Sequence, residues 1–211
     1  MNAGNHLFYN NLGIDPFKLL AEVGGFSTYT DLELAYPFIK QSKSILELGA
    51  GYGRCVDFLI QKKYKGRVIA VEQSPILIDH LKDRFPTIEI LQEDIKKLQL
   101  KQKVDAALWM WSGFIDFSRE EQQKSIRLVS SHLSQKGVLV IDLPRLGYQT
   151  IAQHTDSQHL HFESPFGNLE CFLPTLDDIK FYASEAQFKT VIPKDYLTAT
   201  EKERTLFILQ K

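Results

Sequence analysis

A chain of 211 residues is long enough to bury the core of one sizeable domain. Its 25 Lys and Arg against 26 Asp and Glu leave a net charge of −1, a balance that does not point to a polyanion-binding surface. Two cysteines, Cys55 and Cys171, lack C-x-x-C spacing and so support neither a disulfide framework nor a zinc site; no metal centre is expected, and a reducing cytoplasm fits. No apolar run approaches the ~18 residues of a membrane span, and no charged start leads into an apolar signal core, so neither a membrane nor a secretory address is expected.

The first forty residues stand outside any β-α-β alternation and read as a helical cap. Asp15-Pro16 reads as an N-cap followed by proline at the first helical position, and Gly24-Gly25 ends that helix. Thr30-Asp31-Leu32-Glu33 has the spacing of a capping box, which predicts a second short helix that Pro37 ends or kinks. From Ser44 onward the alternation is regular, with strands expected at 44–48, 67–72, 88–91, 104–111 and 137–142 and helices between them. Ser74-Pro75 opens the helix through Phe85. Ser118-Arg119-Glu120-Glu121 is a capping box for the helix whose apolar face carries Ile126, Val129 and Leu133. An extra element follows the fifth strand: residues 159–173 alternate around the turn residues Ser164 to Asn168, which predicts an inserted β-hairpin. Thr175 opens a helix through about Ala186, and two β runs, 188–192 and 205–210, close the chain. The whole, 1–211, reads as one domain.

The most informative stretch is Ser44-Ile45-Leu46-Glu47-Leu48-Gly49-Ala50-Gly51-Tyr52-Gly53-Arg54. An apolar strand runs into three glycines at alternate positions, and a helical pattern with Val56, Leu59 and Ile60 on one face follows. Glycines without Cβ atoms let a ligand approach the backbone closely. Glu72 closes the next strand, where an acidic side chain can accept both hydroxyl protons of a ribose. A dinucleotide turn would read G-x-G-x-x-G, with its third glycine at the position held here by Arg54. The acid before the turn, Glu47, is unfavourable for a pyrophosphate and favourable for a cation.

The segment Glu47 to Gly53 closely resembles motif I of the class I S-adenosylmethionine-dependent methyltransferases. The resemblance implies an α/β, Rossmann-like fold with a mostly parallel seven-stranded sheet, an antiparallel last strand and an N-terminal helical cap. It implies S-adenosylmethionine as the cofactor, held by Glu47, Gly49, Gly51, Gly53, Glu72 and its neighbour Gln73. It places Asp94 on the adenine amino group beside Ile95, with Glu93 as the alternative acid if the third strand ends one residue earlier. In this family the loop that the 159–173 hairpin occupies commonly lies over the substrate pocket, and the N-terminal segment supplies a tyrosine to it; Tyr9, Tyr29 and Tyr36 stand in that segment. Tyr29 is taken with Trp111 as substrate-binding, and Trp109 as cofactor-binding.

Strand alternation puts Trp109 and Trp111 on one sheet face and Met110 on the other, at the strand end where open α/β sheets bind ligands. The N-P-P-Y motif of amino-group methyltransferases acting on nucleobases is absent. Candidate general bases are His154, His159, His161, Asp142 and Asp116, with nothing local to choose among them. The reading is therefore a methyltransferase acting on an O or N nucleophile of a small molecule, with catalytic residues unassigned. An RNA or protein methyltransferase and a non-catalytic S-adenosylmethionine-binding module are its rivals.

Overall fold

The computed structural model describes residues 3–145, 153–154 and 158–211. Three helices come first: α1 (Ala3–Leu12), α2 (Ile14–Val23) and α3 (Thr30–Ile39). Strands and helices then alternate: β1 (Ser44–Leu48), α4 (Arg54–Gln61), β2 (Arg67–Glu72), α5 (Pro75–Arg84), β3 (Glu89–Gln92), β4 (Val104–Trp109), α6 (Arg119–His132) and β5 (Leu133–Pro144). A short β6 (Gln153–His154), the hairpin β7 (His159–Ser164) and β8 (Gly167–Phe172), α7 (Leu176–Glu185), β9 (Thr190–Leu197) and β10 (Glu203–Gln210) complete the chain.

The main sheet has seven strands in the order β3-β2-β1-β4-β5-β10-β9. The five strands β1 to β5 run parallel, and β10 inserts antiparallel between β5 and β9. The fold is the expected one. Strand order reverses beside β1, so the connections after β1 and β4 leave toward opposite faces and open a crevice at the carboxyl ends. Near-continuous apolar runs such as Val68-Ile69-Ala70-Val71 suit strands covered on both faces. One core gathers Leu46, Ile69, Trp109, Leu139 and Phe207 under α6 and α7; the other gathers Ile45, Val56, Leu59, Ala106 and Ile208 under α3 and α4.

The capping box at Ser118 forms as its spacing predicts, and Thr175, expected to open a helix, makes one with Asp178 as well. The one expected at Thr30 does not form. There α3 begins after Tyr29, whose backbone is left-handed (φ 57°), and the Asp31 side chain turns inward to the Arg54 guanidinium (2.9 Å). Pro37 neither ends nor interrupts α3, which runs on to Ile39. The fourth strand stops at Trp109, and Trp111 and Ser112 take left-handed backbone (φ 48° and 67°). Trp111 therefore leaves the alternation that would have kept it on the face of Trp109. Among the described residues no helix is long and apolar enough to cross a membrane.

Candidate active site

One cavity of about 330 Å³ lies at the carboxyl ends of β1, β2 and β4. At one end it is bounded by the glycine turn. Gly49 (φ 71°) faces open space, with no atom within 4 Å of where a Cβ would stand. Gly51 (φ 58°) donates its N–H to Glu72 Oε2 (2.9 Å), and a Cβ on it would stand 2.9 Å from the ring of Phe17 on α2. Gly53 (φ 89°) does not border the cavity: a Cβ there would collide with Phe85 at 2.3 Å, so its freedom serves the packing of α4 on α5.

Two carboxylates shape this end. Glu72 accepts three backbone N–H groups, from Gly51, from Gln73 (2.8 Å) and from Ser74 (2.9 Å). It ties the glycine turn to the end of β2 and still borders the cavity with part of its acceptor capacity left. Glu47 is 3% exposed, and its Oε2 has no hydrogen-bond partner. Burial pushes its carboxyl up to about 7, against the pull of Cys55 and Arg54. A buried carboxylate oxygen left open beside a cavity calls for a donor or a cation. Gln73, Glu93, Asp94 and Ile95 border the same end, and Asp94 caps a 3-10 turn over Ile95–Lys97 by accepting from Lys96 N–H (2.9 Å). Both acids expected at the adenine position are thus at the cavity. Trp109 is wholly buried edge-on against Phe114 and Phe117 and borders the cavity floor, its Nε1 unpartnered.

Residues 45–137 match the methyltransferase domain family. The sheet and the glycine turn are similar to those of S-adenosylmethionine-dependent methyltransferases, whose fold the chain shares. Solved structures share the fold at low identity. A S-adenosylmethionine-dependent methyltransferase from Clostridium acetobutylicum is 16% identical, with a TM-score of 0.68 over 92% of this chain and 98% of that one. The sugar N-methyltransferase KedS8 from Streptoalloteichus is 14% identical, with a TM-score of 0.68 over 92% and 91%. A 1,6-didemethyltoxoflavin N1-methyltransferase from Burkholderia thailandensis, with S-adenosylhomocysteine bound, is 12% identical at TM-score 0.65 over 100% and 91%. No curated protein matches the chain in sequence.

The far end of the cavity is made by segments distant in sequence. Phe8, Tyr9 and Leu12 of α1 face Leu160, Phe162 and Leu169 of the hairpin across it. Helix α1 is fixed there by Asn5, which donates to the carbonyls of Asp116 (3.2 Å) and Glu170 (2.8 Å) and accepts from Glu170 N–H (2.9 Å). Buried Asp116 accepts from the Tyr9 hydroxyl (2.8 Å) and faces the Cys171 thiol (3.6 Å). Burial raises its carboxyl to about 7 although both neighbours pull it down, and burial beside Asp116 raises the Tyr9 phenol well above its ordinary value.

Trp111 borders the cavity, stacked between Phe17 and Phe26 at 5.1 and 5.2 Å. Tyr29 does not. Its ring packs on Phe58 of α4 (5.6 Å) and not on the cavity where it was expected; Tyr36 lies against the same ring. Asp142 is closed off as a base, held by Arg204 (2.8 Å), by the Tyr196 hydroxyl (2.7 Å) and by Trp111 N–H (3.1 Å). His161 is paired with Glu170 (2.6 Å) and His159 packs on Phe172; neither borders the cavity. The side chain of His154 lies outside the described residues. The histidine that does reach the cavity is His6 of α1, which no sequence signal had singled out.

Proposed function

We propose that the chain transfers a methyl group to an O or N nucleophile of a small molecule. The observation that carries this reading is the shape of the cavity. It runs from the glycine turn into an apolar chamber between α1 and the hairpin, and that chamber ends on a buried carboxylate. A non-catalytic binding module has no use for space beyond its ligand. An RNA or protein substrate would need an open groove, whereas here α1 and β8 are joined through Asn5.

The residues present fit S-adenosylmethionine, which carries no phosphate and two cationic groups. The open oxygen of Glu47 suits a cationic group. Gly49 and Gly51 allow close approach of the backbone. Glu72 and Gln73 are suited to hold a ribose, and Glu93, Asp94 and Ile95 to meet an adenine edge. When bound, the cofactor supplies a methyl group on a sulfonium leaving group. The chain then aligns the acceptor with that carbon and excludes water, and both effects are worth several kcal/mol, on the order of 7–11 for full orientation of two reactants. The wholly buried Trp109 and the aromatic cover of Phe17 and Trp111 provide the exclusion.

Incubation with labelled cofactor and a small-metabolite extract tests the reading. Label in a small product, with release of S-adenosylhomocysteine, is expected. Label confined to RNA or protein fractions would overturn it.

A further inference from the structure

The charged side chains bordering the cavity are strongly unbalanced. Glu47, Glu72, Glu93, Asp94 and Asp116 all border it. Arg54 and Arg204 do as well, but each is already neutralised by a buried aspartate outside the cavity, Asp31 and Asp142 respectively. The interior is therefore electronegative and selects against anions. Asp116 sits at the end away from the glycine turn, among Phe8, Leu12, Ile115, Leu160, Phe162 and Leu169. Its described side-chain partners are a phenol and a thiol, both neutral donors. A buried carboxylate is costly unless a cation meets it, and none of the described ion pairs supplies one at Asp116.

We propose that the methyl acceptor is a primary or secondary amine on an apolar body, and that Asp116 takes the proton the amine must lose before its nitrogen can attack. This rests on the small-molecule reading above and names the substrate class. In the step, an ammonium N–H bond breaks and its electron pair stays on nitrogen as the lone pair. The proton goes to a carboxylate oxygen of Asp116, leaving a neutral acid and a neutral amine. Tyr9 acts as a positioning residue: its hydroxyl fixes the carboxylate and leaves the oxygen facing Cys171 weakly engaged. An alcohol would bring a hydrogen to Asp116 but not the missing positive charge. A carboxylate or phosphate acceptor would meet the like charge of Asp116, with four more acids further along the cavity. Burial, which raises Asp116 to about 7, matches it to proton exchange near neutral pH.

Three probes of one shape separate these chemistries: benzylamine, benzyl alcohol and benzoate, titrated calorimetrically into the full chain with S-adenosylhomocysteine present. Benzylamine is expected to bind about tenfold or more tightly than the alcohol, with benzoate weakest, and Asp116→Asn to bring the amine within about threefold of the alcohol. If Asp116→Asn does not fold, Tyr9→Phe serves: it removes the donor that lowers Asp116, so the pH above which benzylamine is preferred should move up, and an unmoved pH dependence overturns the proposal. Equal binding of amine and alcohol, tighter binding of benzoate, or an amine preference that survives Asp116→Asn overturns the proposal. Failure of S-adenosylhomocysteine itself to bind the wild type would instead sink the methyltransfer reading, and the probe titrations without it still judge the amine preference.

Discussion

The two ends of the cavity are built by different means. The cofactor end is made almost entirely from backbone and from residues close in sequence: a glycine turn, and Glu72 holding three N–H groups within the βαβ unit that begins at β1. The acceptor end is assembled from α1, the loop after β4 and the β7–β8 hairpin, joined by side chains such as Asn5 and Asp116 that stand 111 residues apart. A backbone-built site recognises a fixed ligand and tolerates little change in geometry. A side-chain-built site can be re-cut without disturbing the sheet, and this is how one fold serves many acceptors. Phe26 meets two buried arginines beside the cavity. Its ring contacts the Arg54 guanidinium (5.2 Å), at the start of α4, and the Arg204 guanidinium (4.9 Å) on β10, and the three form a buried clamp.

That clamp is where the comparison breaks most easily. Asp31 is 1% exposed and neutralises Arg54. Asp31→Ala leaves a buried guanidinium uncompensated, and a loss of about 3–5 kcal/mol in unfolding free energy is expected. Urea denaturation measures it; a loss below about 1 kcal/mol would mean that Arg54 escapes to solvent and that the clamp is not structural.

Next in size is Glu72→Ala. Loss of a charge-assisted acceptor is expected to weaken S-adenosylhomocysteine by about 2–3 kcal/mol, roughly 30- to 150-fold. Because Glu72 also anchors Gly51 N–H, the glycine turn should loosen, visible as faster amide exchange at residues 49–53. Calorimetry that finds unchanged affinity would move the ribose contact to Gln73 or beyond and leave Glu72 a purely structural brace.

A pH profile sharpens the same end. The Glu47 carboxyl is raised to about 7 by burial, with Cys55, Arg54 and Glu72 around it. It is protonated below that pH, and a cationic ligand binds its ionised form. Affinity for S-adenosylmethionine should therefore rise with pH, by up to about tenfold per unit below 7, and level off above it. Glu47→Gln should flatten the profile. A wild-type profile flat between pH 5 and 8 would mean that no cation meets Glu47.

How much of this was legible in the sequence follows the same division. The glycine turn, Glu72 and the strand positions are local patterns that spacing located, and the family resemblance added the acids at 93 and 94. Asp116 could be named as one base among several, but no periodicity tells that Tyr9 reaches it across 107 residues. Arg54 stood out only as the residue that spoils a dinucleotide turn; its pairing with Asp31 needed the fold. Trp111 was misplaced on the sheet because a left-handed backbone ends strand alternation, and nothing in Trp-Met-Trp-Ser announces one. Gly53 was misread because a glycine can answer to a neighbouring helix as well as to a ligand, and only the position of Phe85 decides which.

The smallest expected effect tests that division at Tyr29. The residue belongs to the N-terminal cap, and its family position suggested the pocket, yet the ring packs on Phe58 and the hydroxyl accepts only a long hydrogen bond from Gln61 (3.3 Å). Tyr29→Phe keeps the ring and deletes that bond, which lies near the surface. Unfolding free energy should change by less than about 0.5 kcal/mol. S-adenosylhomocysteine affinity and benzylamine binding should stay within about twofold, since a 1.4 kcal/mol effect would be needed for tenfold. Tyr9→Phe, by contrast, removes a 2.8 Å bond to a buried carboxylate in the same cap and should raise the apparent pKa of the acceptor end, because the donor that lowers Asp116 is gone. The pair of variants asks whether the cap acts as one body. If Tyr29→Phe weakens ligand binding as much as Tyr9→Phe does, α3 moves with α1 when ligands enter, and the acceptor end extends over the face of α4. If only Tyr9→Phe has an effect, the working part of the cap is α1 against the hairpin, and α3 belongs with the sheet it covers.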